Sequence, residues 1–399
     1  MQVPSAPARA ADVGVEEHTV ARATDAWHAG DEEFTIGVEE EAFLLEPAGG
    51  EIAHRSAEVL PQLKEIFGAQ VTAETHDSAF ELATRPATSA SAAAEQLRGL
   101  RQRAAQALER LGLRAGVAGT HPTATWEEIQ VSEEPRYELV HVAMRELARR
   151  EPTFALHVHV GVGDADRAIR ACDRLRVHLP LLLALSANSP YYQGRDSGLA
   201  SARTPLFQTF PRTGIPRRFG DWQGYSEAIE PLIQSGAIPD ATHLWWDIRP
   251  KPEIGTVEVR IMDAQTDIED VQALVALVVS LTHLELEQGL VSERAIEARE
   301  TIEENRFRAA RDGADAELID LDAGATKPVR QMVAEVRELC REHAEQLGCG
   351  PELAGLERLL EGNGAARQRR RAGAGPDLEA VVAYLAGSYV PVTPAAAAA

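Results

Sequence analysis

Three short stretches alternate between apolar and polar positions with the period of two that marks a half-buried β-strand. Residues 34–45 put Glu39 and Glu41 on one face, with Phe43 further along, and send Glu40 to the opposite face beside Val38. Residues 155–161 put His157 and His159 on one face and Leu156, Val158 and Val160 on the other. Residues 256–262 place Glu258 and Arg260 together, opposite Val257, Val259 and Ile261. A plain solvated sheet surface is rich in Thr and Lys, whereas these polar positions are sparse and ionisable. Residues 89–111, rich in Ala, Leu, Arg and Glu, instead predict a long helix.

Three regions are expected. Residues 34–119 open with a strand, residues 120–288 alternate short strands with helices, and residues 291–387 are largely helical with glycine punctuation at Gly313, Gly324, Gly348 and Gly362. With no repeat of fixed period and no linker between them, residues 33–389 are expected to form a single domain. Residues 1–32 read as a disordered leader and 390–399 as a disordered tail.

The composition of the 399 residues, 44% hydrophobic and 26% charged, is that of a soluble globular protein long enough to need no disulfide or structural metal. A formal net charge of −22 argues against general nucleic-acid binding, which needs a basic footprint. The longest apolar runs, residues 179–187 and 273–281, are too short to span a bilayer, and residues 1–30 hold no signal-peptide core. No membrane association and a cytoplasmic location are therefore the default expectation. Cys172, Cys340 and Cys349 form neither a C-x-x-C pair nor a zinc spacing and are expected to be reduced and structural.

Mg²⁺ and Mn²⁺ take hard oxygen ligands and tolerate an imidazole among them. The chain offers, in order, Glu39 and Glu41, then Glu74 and Glu81 flanking His76-Asp77, then His157, then Glu258. Singly, each has a bland reading: an E-E-E run is usually solvated, H-x-H on a strand is more often ordinary than metal-binding, and E-x-R usually pairs with a neighbouring strand. There is no G-x-x-x-x-G-K-[ST] loop and no protein-kinase signature, so phosphate binding would fall to metal ions. The run Arg367, Arg369, Arg370, Arg371 reads as a solvated helix end or, through Arg369, as a phosphate contact. Trp245-Trp246 reads as core in preference to an adenine platform. A metal hydrolase of the amidohydrolase type also displays H-x-H on a strand, but there the motif sits near the first strand, and here acidic residues precede it. A non-enzymatic nucleotide- or metal-binding module would need neither Arg260 nor paired ion sites.

The order of these residues is that of the ligands in the glutamine synthetase-like superfamily, and the chain resembles the bacterial carboxylate-amine ligases, the type 2 glutamate–cysteine ligase family. Matching segments include Gly37-Val-Glu-Glu-Glu41, Leu156-His-Val-His-Val-Gly161, Leu185-Ser-Ala-Asn-Ser-Pro190 and Gly194-Arg-Asp-Ser-Gly198. They continue through Ser201-Ala-Arg-Thr204, Phe210-Pro-Arg-Thr-Gly214, Trp245-Trp-Asp-Ile-Arg249, Gly255-Thr-Val-Glu-Val-Arg-Ile-Met-Asp263 and Gly362-Asn-Gly-Ala-Ala-Arg-Gln-Arg369, so that the resemblance spans roughly residues 34–385. It implies an α+β fold with a curved, mainly antiparallel sheet, a half-barrel backed by helices. It implies ATP as cofactor with two or three Mg²⁺ (or Mn²⁺) ions: Glu39, His157 and Glu258 nearer the nucleotide phosphates, and Glu41, Glu74 and Glu81 nearer the acceptor carboxylate. The product would be an acyl phosphate that a neutral amine attacks, as when L-glutamate and L-cysteine give gamma-glutamylcysteine. Arg260 would steady the phosphoryl group or oxyanion, and Arg203 would clamp a carboxylate, an ion pair being an equal reading for Arg203. His159 would stand behind the ligands or simply pack. The expected partners are small carboxylate and amine substrates and a second copy in a homodimer or larger. A guanidino phosphotransferase of the same superfamily is the alternative, although its reactive Cys motif is not recognisable here.

Overall fold

The three alternating segments become neighbouring strands of one sheet in the computed structural model, which describes residues 27–30, 32–150, 152–375 and 377–390. The seven strands are β1 (Ile36–Leu45), β2 (Val71–Ala73), β3 (Ala79–Ala83), β4 (Arg114–Gly116), β5 (Ala155–Gly161), β6 (Ile248–Lys251) and β7 (Thr256–Asp263). Their order is β6-β7-β5-β1-β3-β2, with β4 beside the far end of β1, and every pairing is antiparallel. The sheet is open, and β1 lies in its middle.

Most of the helices cover one face, and two short ones border the other. The helices include α1 (Ser56–Phe67), α2 (Ala90–Arg110), α3 (Pro135–Met144), α4 (Ala165–Leu175), α5 (Leu179–Ser186), α6 (Arg203–Phe207), α7 (Trp222–Gln234) and α8 (Ile268–Glu287), followed by a largely helical stretch from Arg299–Asp312 to Leu378–Ser388. In α2, Ala93, Leu97, Leu100, Ala104 and Leu108 recur at three- and four-residue steps and are buried. Ser89 starts that helix by accepting the Ala92 amide at 3.1 Å. The two apolar runs become α5 and the middle of α8, and α8 is buried almost all round because α2, α4 and the Val329–Gln346 helix surround it. Among the described residues no helix is long and apolar enough to cross a membrane. One hydrophobic cluster runs from Ile36 to Tyr389, and Cys172, Cys340 and Cys349 are buried and unpaired.

Of the expected leader, residues 1–26 and 31 lie outside the described residues. Trp27 and His28 are held: the Trp27 indole donates to Val162 O at 2.8 Å and the His28 amide to Pro252 O at 3.0 Å. Of the expected tail, 391–399 lie outside the described residues, and Val390 packs against the core.

Glu40 occupies the helix-covered face, as alternation requires, and it is completely buried. Its partner is Arg101 of α2, also completely buried, whose Nε donates to Oε1 at 2.8 Å and whose Nη2 bonds the other carboxylate oxygen. Arg101 also donates to Thr266 O at 2.8 Å and Gln265 O at 2.6 Å. Both charges are therefore paired with their hydrogen-bonding capacity used, the condition under which a buried pair is tolerated.

A bulge alters the last strand. Val259 pairs with Val158 and Met262 with Leu156, so Arg260 and Ile261 together oppose His157. The extra residue shifts the alternation: Asp263 pairs with Ala155 and lands on the face that carries His157. There it accepts bonds from the Asn188 amide at 2.8 Å, Ser189 Oγ at 2.7 Å and Ser201 Oγ at 2.9 Å, fixing the loop that leads into Arg203.

Candidate metal and substrate site

Antiparallel register brings the ionisable residues of five strands together. Glu39 lies opposite His157, Glu41 opposite Glu81, Glu81 opposite Thr72, Glu258 opposite His159, and Arg249 opposite Glu258. Residues directly opposite each other share a face, and all of these side chains but His159 line a cavity of about 320 Å³ on the side of the sheet away from Glu40. His157 is central. Its Nδ1 lies 3.2 Å from Glu39 Oε2 and 3.8 Å from Glu258 Oε1, and its Nε2 lies 3.8 Å from Glu41 Oε1. Ligand atoms of Glu39, His157 and Glu258 all lie within 4.8 Å of one another, and so do those of Glu41, Glu81 and His157. A neutral imidazole has one free lone pair, so His157 can serve one ion at a time.

The electrostatics divide the carboxylates. Burial pushes Glu39 and Glu258 up, but both are held well below the usual range, Glu39 chiefly by His159 and hydrogen bonds from the two imidazoles, Glu258 by Arg249 and Arg260. The other three lack sufficient positive partners. Burial pushes Glu41 up to about 7 against Arg203 and Arg260, and burial with the neighbouring Glu41 pushes Glu74 up to about 8. Glu81 is driven well above the usual range by burial and by Glu39, Glu74 and Glu41. Burial and then Arg260 push His157 down to about 4, so the ring is neutral. His157 Nε2 is buried without a hydrogen-bond partner. Crowded, under-neutralised carboxylates beside an orphaned imidazole nitrogen form a donor set that suits Mg²⁺ or Mn²⁺.

The expected ligands are thus brought together, with one difference. Glu74 lines the cavity and accepts the Thr75 amide at 3.3 Å, but it belongs to neither close group. Arg260 bonds Glu258 and comes within 3.4 Å of His157 Nδ1, leaving its own Nε buried and unpartnered. Arg203 pairs with the buried Asp263 at 3.9 Å, donates to Ile261 O at 3.0 Å and Arg260 O at 3.2 Å, and keeps a buried, unpartnered Nε. His159 donates to or accepts from Thr256 Oγ1 at 3.0 Å and faces Glu39 at 3.3 Å.

Arg369, expected as a phosphate contact, lies apart from the other site residues. Its guanidinium bonds Asp196 at 3.0 and 3.3 Å and Leu199 O at 2.9 Å, and it does not line the cavity, so it ties a helix to a loop. The Trp pair also splits. Trp246 packs in a core cluster with Phe219, whereas Trp245 lines the cavity beside Phe210; strand alternation was the signal for this division. Arg249 was missed as well. It holds Glu258 through Nε at 2.6 Å and Nη2 at 3.3 Å and anchors itself on Thr242 O and Leu244 O, both at 2.8 Å.

The sequence model of Glutamate-cysteine ligase family 2 matches residues 35–383. A Rubrobacter xylanophilus protein named "Putative glutamate--cysteine ligase 2-1" is 37% identical over 357 residues, covering 89% of this chain and 95% of its own length. A Solibacter usitatus protein named "Putative glutamate--cysteine ligase 2" is 35% identical over 356 residues, covering 88% of this chain and 92% of its own. Among solved structures, a glutamate–cysteine ligase of Francisella tularensis in complex with AMP superposes with a TM-score of 0.67 at 12% identity, covering 93% of this chain and 92% of that one. A bifunctional glutathione synthetase of Pasteurella multocida gives 0.65 at 14% identity over 90% of this chain and 52% of that one. At such identities the structural likeness concerns the fold, which is the glutamine synthetase-like one expected. From the family match and the near full-length relatives, the chain belongs to glutamate-cysteine ligase family 2.

Proposed function

We propose that the chain is an ATP-dependent ligase that joins a carboxylate to an amine through an acyl phosphate, with L-glutamate and L-cysteine as the first pair to test. The observation that carries this reading is the pair of overlapping close groups, Glu39–His157–Glu258 and Glu41–Glu81–His157. Glu39, Glu258 and His157 would hold the ion on the nucleotide side; Glu41 and Glu81, with Glu74 beside them, would hold the ion on the carboxylate side. Bound Mg²⁺ or Mn²⁺ would neutralise two mutually repelling anions and align them for in-line transfer. The chain's own cations complete the task. Arg260, anchored on Glu258, and Arg203 both line the cavity; Arg260 would stabilise charge developing on the phosphoryl group, and Arg203 would hold the reacting carboxylate. Crowding of the working face with carboxylates and arginines favours ligation over the hydrolase alternative.

An ADP-release screen of carboxylates against amines, run with Mg²⁺ and with Mn²⁺, tests the reading. Release is expected only when both partners are present; release with neither, water alone being the acceptor, would overturn it. A second expectation concerns Arg249. Lysine cannot reproduce its two-pronged hold on Glu258, so Arg249→Lys should raise the Mg²⁺ concentration for half-maximal activity about 10- to 100-fold, the usual penalty for losing support behind a ligand. An unchanged metal dependence would remove Arg249 from the account.

A further inference from the structure

Five cationic side chains line the cavity, and four are engaged by the protein. Arg249 and Arg260 bond Glu258, Lys251 pairs with Glu253, and Arg203 donates to backbone carbonyls of β7. The fifth, Arg136 on α3, has no carboxylate or carbonyl partner among the described residues and is exposed at the cavity. Its guanidinium rests 5.9 Å from the centre of the Tyr137 ring. That ring is fixed, because the Tyr137 hydroxyl donates to Ala73 O at 2.9 Å, one residue before Glu74. Arg136 is thereby held at the Glu74 and Glu41 end of the cavity, and its charge acts on Glu74. Lys251 instead acts on His159, beside Glu258. A planar guanidinium with no protein acceptor is suited to a bidentate carboxylate.

We propose that Arg136 binds a substrate carboxylate that does not react, so that this site selects amino acids or other molecules carrying a free carboxylate beside the reacting group. The inference rests on the ligase reading and adds to it the residue that recognises the free carboxylate. The unreactive carboxylate can come from the activated partner or from the amine partner. Steady-state ADP release by the full chain and its Arg136→Gln and Arg136→Lys variants separates the two, comparing glutamate with 4-aminobutyrate and cysteine with cysteamine. Arg136 is exposed, so both variants should fold. Arg136→Gln is expected to raise KM about 10- to 100-fold for the carboxylate-bearing partner it binds, with the KM for ATP unchanged and the preference over the analogue lost. Arg136→Lys should recover part of the affinity. The pair whose preference disappears names the source. Unchanged KM values for both amino acids, or a shift confined to ATP, would overturn the role of Arg136 while the wild-type ligase activity stands. Absence of ADP release by the wild type with every pair would overturn the ligase reading and this inference together.

Discussion

Glu39→Ala is expected to abolish metal-dependent ADP release in a protein that still folds. Glu39 faces both His157 and His159 and stands in the close group with Glu258. Losing a ligand that lets a divalent ion stabilise transition-state charge forfeits several kcal/mol, which at about 1.4 kcal/mol per decade is roughly a thousandfold in rate. The choice of residue matters for interpretation. The Glu39 side chain is 29% exposed, and among the described residues no arginine is bonded to it. Glu258 is 1% exposed and neutralises both Arg249 and Arg260, so Glu258→Ala would strand two buried charges and confound chemistry with folding. Rate measurements alongside a denaturant titration would separate these effects. Near-normal activity in Glu39→Ala would refute its assignment as a ligand.

Glu40→Ala should do the opposite, destabilising the fold by about 3–5 kcal/mol, because Arg101 would remain as an uncompensated charge in the core. Arg101 would keep its bonds to Thr266 O and Gln265 O but lose its only carboxylate among the described residues. Urea unfolding monitored by circular dichroism measures this directly. A variant within about 1 kcal/mol of the parent would show that the pair contributes little. Adjacent glutamates thus carry different burdens, one chemical and one structural.

That division was legible because strand alternation is local: knowing that residues 36–45 form a strand is enough to place Glu39 and Glu41 together and Glu40 apart. The strands bearing His157 and Glu258 were readable for the same reason, as was the helix carrying Arg101. What alternation could not convey depends on register and on distant partners. The bulge at Arg260–Ile261 moves Asp263 from the helix-covered face, where unbroken alternation would put it, to the face where it anchors the loop before Arg203. The grip of Arg249 on Glu258 requires the pairing of β6 with β7, and nothing in Trp-Trp-Asp-Ile-Arg announces that pairing. The anchoring of Arg369 was hidden for a related reason: its partner Asp196 is 173 positions away and shows no sequence signal of the contact. Arg136 could not be singled out from sequence, since its distinction is that the other cavity cations are engaged and it is not.

The most direct measurement of the central claim is the location of Mn²⁺ by anomalous scattering in crystals of the chain grown with a non-hydrolysable ATP analogue. The account predicts one peak among Glu39, His157 and Glu258 and another beside Glu41 and Glu81. Peaks at neither position would contradict it.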